Sequence, residues 1–340
     1  MIEAYNLRFG VNCKQNLKKS EEYCLLACSE GSKLALGMKH LFGWKTEKDE
    51  KKAFELFNQI AEEWNEKNEE LRCSLFLIAR SYNNGYGIER NIQKAVEYYE
   101  KASFLDDSNS MYNLAIIYKS GDTNFEIQRD IKKAADLYER AIELGDIDSL
   151  NNLANIYKIG YPNFRVQKNI KRAIELYLKA IEMGDSEALN NLANLYRFGD
   201  SEQGIEPDIN KAIELYEQAV NVRNINAMYN LSLVYTNEEN KYVRDINRAF
   251  YLLFQIYLVD QDNKSKDRLI NIINDSQSEI VWRQEYHIYW NKESNLNQNN
   301  LPSFDFKTQK RNEEQNINKR SFCERNNSQN CQIPLSLFHC

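Results

Sequence analysis

Glycine and proline are scarce in this chain. Of 340 residues, 12 are Gly and 4 are Pro, against a usual combined share of roughly 12%. Collagen-like, Gly/Ser-linker and turn-dense β-sandwich chains are therefore disfavoured. No apolar run approaches the roughly 20 residues that span a bilayer, so no membrane span is expected. The opening Met1-Ile2-Glu3-Ala4-Tyr5-Asn6 lacks the basic and apolar regions of a secretory signal. Histidine is rare, with three copies at 40, 287 and 339, which leaves little material for histidine-based hydrolysis or metal binding. The seven cysteines are odd in number and irregular in spacing. A reduced, cytoplasmic chain is the expectation. No strong basic excess exists either. Lys and Arg total 44 against 50 Asp and Glu, a net charge of −6. Nucleic acid is thus not an expected partner.

What the sequence does have is a repeat. Six times it reads acid or Asn, two residues, a base or near-base, then Ala. The matches are 49–53, 91–95, 130–134, 169–173, 208–212 and 245–249. Their alanines, Ala53, Ala95, Ala134, Ala173, Ala212 and Ala249, lie 42, 39, 39, 39 and 37 residues apart. Each match predicts a helix start, because Asp and Asn oxygens accept from first-turn amides. The residues that follow carry one apolar stripe at i, i+3, i+4, i+7. Ala134, Leu137, Tyr138 and Ala141 are one such set; Ala173, Leu176, Tyr177 and Ala180 are the next. This helix B often runs into Gly, as at Gly145 and Gly184.

A second helix, A, precedes each B. Met111, Leu114, Ala115 and Tyr118 form its stripe in one unit, and 150–157, 189–196 and 228–235 repeat the pattern. Neither helix can bury its apolar face alone, so the units must stack.

Helix A ending in Tyr-x-x-Gly, a loop, then Asp/Asn-x-x-Lys-Ala and an aromatic resembles the Sel1-like repeat family, a branch of the tetratricopeptide-like superfamily. The clearest stretch runs from Ile78 through Gly85, Gly87 and Asn91 to Ala102. The resemblance implies an all-α, right-handed solenoid of about six antiparallel helix pairs over 33–260. Residues 1–32 are expected as an N-terminal cap or half repeat, in which Ser20, Tyr23 and Ala27 echo helix B. Residues 261–290 are expected as capping helices. The Asn-rich segment 291–340 has no helical stripe and is expected to be disordered. Units depart from the pattern in places. Gly37 and His40 stand where later units have Ala and Tyr, and units three to five carry longer A–B loops.

Catalytic signatures are missing: no phosphate-binding Gly-x-x-x-x-Gly-Lys-Ser/Thr, no Gly-x-Gly-x-x-Gly and no His-Glu-x-x-His. Cys24 and Cys28 share one helix face, where two small buried residues are a better account than a metal or redox pair. Cys323, Cys331, His339 and Cys340 lack the Cys-x-x-Cys clamp of a zinc site. No enzyme activity, cofactor or metal is expected.

Two polar rows recur on helix A. Asn113, Asn152, Asn191 and Asn230 share one phase and are expected to bond backbone at the seam between repeats. A second face carries Tyr112, Ile116 and Lys119; Asn151, Asn155 and Lys158; Asn190, Asn194 and Arg197; then Tyr229, Leu233 and Thr236. In tetratricopeptide families this face lines a concave groove, where Asn grips a peptide backbone and Lys or Arg holds a carboxylate. The same residues also suit a solvated helix face, and both readings stand at this point. The groove hypothesis names Tyr112, Lys119, Asn151, Asn155, Lys158, Asn190, Asn194, Arg197 and Tyr229. The resemblance implies a non-enzymatic scaffold or adaptor for a protein or peptide partner. A regulatory or targeting subunit of an enzyme complex, or a secreted effector with the same repeats, are the alternatives.

Overall fold

A helix leaves its first amides without partners, and an N-cap oxygen satisfies them. In the computed structural model all six signature residues do this. Asp49, Asn91, Asp130, Asn169, Asp208 and Asp245 each accept from the amide three residues on, at 2.9–3.0 Å. The structure describes residues 1–9, 15–63, 68–237, 243–260 and 267–269. The capping helices expected at 261–290 and the tail expected at 291–340 lie outside these, apart from one turn at 267–269.

Fourteen α-helices, and no strand, occur among the described residues. The A helices are α1 (Ile2–Phe9), α3 (Lys33–Phe42), α5 (Glu69–Asn84), α7 (Ser108–Ser120), α9 (Asp148–Ile159), α11 (Ser186–Phe198) and α13 (Ile225–Thr236). The B helices are α2 (Leu17–Ser29), α4 (Glu50–Glu62), α6 (Ile92–Ser103), α8 (Ile131–Glu143), α10 (Ile170–Glu182), α12 (Ile209–Asn221) and α14 (Ile246–Asp260). Each packs on the next in sequence. The result is an α-solenoid of antiparallel helix pairs. The first pair, α1–α2, is built like the rest, with Asn16 capping α2 at 3.0 Å.

One backbone bond recurs in every pair. The amide of the capping residue donates to the carbonyl near the end of the preceding helix A. The six repeats give Asp49 to His40 at 3.0 Å, Asn91 to Tyr82 at 2.8, Asp130 to Tyr118 at 2.8, Asn169 to Tyr157 at 2.8, Asp208 to Tyr196 at 2.7 and Asp245 to Tyr235 at 3.0 Å. Asn16 to Leu7, 2.9 Å, does the same in the first pair. This latch fixes where each loop begins and ends, whatever its length. In the longer loops the extra residues form a 3₁₀ turn, Thr123–Phe125, Pro162–Phe164 or Ser201–Gln203. Each turn is closed by an isolated bridge: Asp122 to Ile127, Tyr161 to Val166 or Asp200 to Ile205.

The base of the repeat signature has a second use. Lys133 lies 4.1 Å over the Tyr118 ring, Lys211 4.0 Å over Tyr196, Arg248 5.3 Å over Tyr235 and Lys94 5.2 Å over Tyr82. These cation–π pairs tie the start of helix B to the end of helix A. The tyrosine hydroxyl then reaches back to the previous B helix. Tyr118 donates to Glu100, Tyr157 to Glu139 and Tyr235 to Glu217, at 2.9–3.1 Å. The sequence stripe puts these tyrosines in the core; the structure leaves Tyr118, Tyr157 and Tyr196 half-buried, because the hydroxyl and the cation need water or a charged partner.

The core is a column of tyrosines from helix B. Tyr99, Tyr138, Tyr177 and Tyr216 are fully buried at 39-residue steps, against Ala115, Ala154 and Ala193 of helix A. In the early repeat Phe57 takes the tyrosine's place. A Cβ at Gly37 would collide with the Phe57 ring, which explains why Gly stands there in place of Ala.

Candidate functional site

Four positions flank the core stripe on each A helix: the paired first and second, the third one turn on, and the fourth in the last turn. In α7, α9, α11 and α13 they are Tyr112-Asn113/Ile116/Lys119, Asn151-Asn152/Asn155/Lys158, Asn190-Asn191/Asn194/Arg197 and Tyr229-Asn230/Leu233/Thr236. Nearly all are half-buried. What differs is how each is held.

Asn191 Nδ2 donates to Asn151 Oδ1 at 2.9 Å, and Asn230 Nδ2 to Asn190 Oδ1 at 2.8 Å. These amide-to-amide bonds cross the seam between repeats. Lys119 Nζ crosses it too, to Asn152 Oδ1 at 2.8 Å. The expected bonding of the Asn row to backbone across the seam is corrected accordingly. Asn113 and Asn152 do bond backbone, but in their own helices, to Asn109 and Asp148. For Asn113 the reason is chemical: the facing position on α5 is Phe76, which offers no acceptor.

Asn155 and Asn194 anchor the core column. Tyr177 Oη donates to Asn155 Oδ1 at 2.7 Å, and Tyr216 Oη to Asn194 Oδ1 at 2.8 Å. Asn155 also donates to the Asn151 carbonyl. Where the third position is not Asn the tyrosine hydroxyl goes without an acceptor. Tyr138, opposite Ile116, and Tyr99, opposite Arg80, have buried hydroxyls with no hydrogen-bond partner. This anchoring was not visible in the sequence, where the third position reads as groove surface.

The fourth position carries charge. Lys119, Lys158 and Arg197 stand in the last turns of α7, α9 and α11, 39 residues apart. The C-terminal end of a helix dipole favours cations, but half-burial strips their hydration. Burial lowers the Lys119 and Lys158 pKa values from the usual lysine range. None of the three forms a salt bridge among the described residues, in a protein that has many elsewhere. Arg197 lies 4.8 Å over the ring of Phe198 and approaches the Tyr216 hydroxyl. Two exposed apolar residues directly follow these cations: Ile159, 55% exposed, and Phe198, 67% exposed. Their signal in the sequence was the break in the apolar stripe, with large hydrophobics off the core phase.

The opposite end of the same helices is acidic. Asp107, Asp146 and Asp185 cap α7, the start of α9, and α11, again at 39-residue steps. Burial raises all three pKa values, Asp146 to about 6. The face is therefore polarised, negative where A helices begin and positive where they end.

Both ends of this face are covered. At the C-terminal end Arg268 Nε donates to Tyr229 Oη at 3.1 Å, with its guanidinium 5.4 Å from the ring. At the N-terminal end these positions are apolar and buried on α3, at Leu34, Met38 and Leu41, and at the first position of α5, Phe76, while the third and fourth positions of α5 are the half-buried Arg80 and Asn83. Tyr5 of α1 packs on Phe76, the ring centroids 5.8 Å apart, and its hydroxyl donates to Asp107 at 3.2 Å. Phe9 meets Phe76 edge to face at 5.0 Å, and Arg8 lies 3.9 Å over Phe42. The open polar stretch is thus α7, α9 and α11. No group of three or more His, Cys, Asp or Glu there, or elsewhere among the described residues, is placed to hold a metal ion. None of the described helices is long and apolar enough to cross a membrane.

Comparison with known proteins agrees with this architecture. The Sel1 repeat family model matches residues 4–32, 33–63, 74–106, 108–146, 147–185, 186–221 and 225–255, seven repeats of which the first is the α1–α2 pair. No curated protein matches the chain. Among solved structures, a protective antigen of uropathogenic Escherichia coli with an SLR fold is similar at TM-score 0.58 and 21% identity, over 79% of this chain and 55% of that one. The present chain thus spans about half of that protein. A Sel1 repeat protein from Oxalobacter formigenes gives TM-score 0.58 and 22% identity, over 76% of this chain and 99% of its own. At these identities the likeness concerns the fold. The repeat signature, the seven matched units and the shared solenoid lead to one conclusion: the chain belongs to the Sel1 repeat family.

Proposed function

We propose that this protein is a non-enzymatic interaction scaffold, and that α7, α9 and α11 form the floor of a groove for an extended peptide or partner segment. Proteins built of these repeats are generally interaction scaffolds, which supports the general reading. The observation that carries the specific one is the row Lys119, Lys158 and Arg197, half-buried and without ion pairs among the described residues. A carboxylate on a partner would restore what burial removes, since charged groups form the stronger hydrogen bonds. Asn151 adds an amide group that can both donate and accept, while Asn190 is buried and held by Asn230. An adaptor role in the cytoplasm goes with this reading. The free thiols Cys24, Cys28 and Cys73 fit a reducing compartment, and the net charge of −6 fits a protein partner better than nucleic acid.

The test is affinity capture from the native cell with the wild type and with Lys158→Ala/Arg197→Ala. The double variant should keep its helical spectrum and lose the main partner. A truncation after residue 290 should retain it. Normal capture by the double variant, with loss on truncation, would place binding outside the groove.

A further inference from the structure

The three cations have a spacing as well as a charge. Asn191 bonds Asn151 directly, Asn230 bonds Asn190, and Lys119 bonds Asn152, so α7, α9, α11 and α13 are immediate neighbours on this face. Packed helices lie roughly 8–10 Å apart. Lys119, Lys158 and Arg197 occupy one position on three such neighbours, so the points from which these side chains extend recur at about that interval.

An extended ligand can match this interval in one way. A polyproline II segment has three residues per turn and rises about 3.1 Å per residue. It returns a side chain to the same side every third residue, after roughly 9 Å. A β-strand does not. Its side chains return every second residue, after roughly 6.7 Å, and the third residue points to the opposite side.

We propose that the ligand of this groove is an extended acidic segment with a carboxylate at every third residue, one each for Lys119, Lys158 and Arg197. The proposal rests on the groove reading above and names the ligand's chemistry. Polarity of the face sets where the segment lies. Asp146, Asp148 and Asp185 at the opposite end repel carboxylates, and the desolvated cations attract them, so the ligand tracks the C-terminal ends of the A helices. Ile159 and Phe198, exposed beside Lys158 and Arg197, give apolar contacts to residues between the acids. Phe76 under Tyr5 at one end, where α5 has Asn83 in place of the cation, and the Arg268 cover on Tyr229 at the other limit the track to three rungs.

The experiment uses the full chain and three fluorescein-labelled synthetic peptides of one composition. They carry three Glu residues among Pro and Ala, placed at every third residue, at alternate residues, or consecutively. Fluorescence anisotropy at moderate salt reads the affinity. The every-third peptide should bind at least about tenfold tighter than the other two, and Lys158→Ala/Arg197→Ala should remove that advantage. A charge-swapped triple adds a control for folding: Lys119→Glu/Lys158→Glu/Arg197→Glu should bind the matching every-third Lys peptide, which the wild type rejects. Equal affinity for all three acidic peptides would overturn the spacing. Failure of the every-third peptide to bind the folded wild type would overturn the acidic ligand. Neither result touches the groove reading, which falls only if the groove variants still capture the native partner.

Discussion

The A-helix face is built twice in this molecule, with opposite results. In α3 its positions hold the buried Leu34, Met38 and Leu41, and in α5 the first holds Phe76, which Tyr5 covers, with Arg80 and Asn83 half-buried beyond it. In α9 and α11 they hold Asn151, Asn155 and Lys158, then Asn190, Asn194 and Arg197, and the face stays open. The backbone devices are identical in both regions: the same N-cap, the same latch, the same helix lengths within a turn or so. The repeat therefore supplies a frame, and the side chains at four positions decide whether that frame becomes core or an open polar face.

The sharpest way to break the comparison is to truncate the closed region. Phe76→Ala removes a buried ring that contacts Tyr5, Phe9 and Tyr99. It should cost about 3–5 kcal/mol, read as a fall in the urea midpoint. Asn151→Ala, at the equivalent open position, should cost far less. Equal losses would mean the two regions do not differ as described.

Within the open region the third position should behave as core. Asn155→Ala leaves the buried Tyr177 hydroxyl without an acceptor and should cost about 1–3 kcal/mol. Tyr177→Phe added to it should restore part of the loss, which a double-mutant cycle would show as coupling. Tyr138→Phe, where the hydroxyl has no partner, should lie within about 0.5 kcal/mol of wild type or above it. A purely solvated Asn155 would give no coupling.

Acid should stabilise the open repeats. Burial raises the Asp107, Asp146 and Asp185 pKa values above that of the unfolded chain, with Asp146 at about 6. A raised carboxyl binds its proton more tightly in the folded state, so its contribution is full below about pH 4 and is lost as pH rises through its folded value. Between about pH 4 and 6 the stability contributed by these groups should fall. Asp146→Asn keeps a capping oxygen, as Asn224 does at the equivalent place in α13. It should flatten the profile in that window, measured as melting temperature against pH. An unchanged profile would show that Asp146 titrates normally.

The smallest effect on stability should come from the cations. Lys158→Ala/Arg197→Ala breaks no ion pair, so its stability should stay within about 0.5 kcal/mol of wild type. A larger loss would make these residues structural and weaken the case for the groove.

The fold was legible because its determinants are local and periodic. Six capping residues and six alanines, nearly in register, specify helix starts and close helix contacts without any distant information. The first repeat was harder to read, since Ser20 stands where the others have Ala and Asn16 lies off the later period. The roles of Asn155 and Asn194 were not legible, because their tyrosine partners lie 22 residues away on another helix. A polar residue that anchors a buried hydroxyl and one that awaits a ligand look alike in sequence. The cations were legible as a row, but their lack of counter-charges was a matter of three-dimensional neighbours. So was the use of the signature base as a lid on a tyrosine ring.

The latch between capping amide and tyrosine carbonyl has an evolutionary side. It fixes two anchor points and leaves what runs between them unconstrained. The loops here already differ, nine residues from Tyr82 to Asn91 and twelve from Tyr118, Tyr157 and Tyr196 to their caps. Loop-closure entropy rises only with the logarithm of length, so three extra residues cost a few tenths of a kcal/mol, roughly. Each A–B junction is in effect a socket, into which a lineage, or an engineer, can fit a new hairpin without retuning the solenoid beneath it.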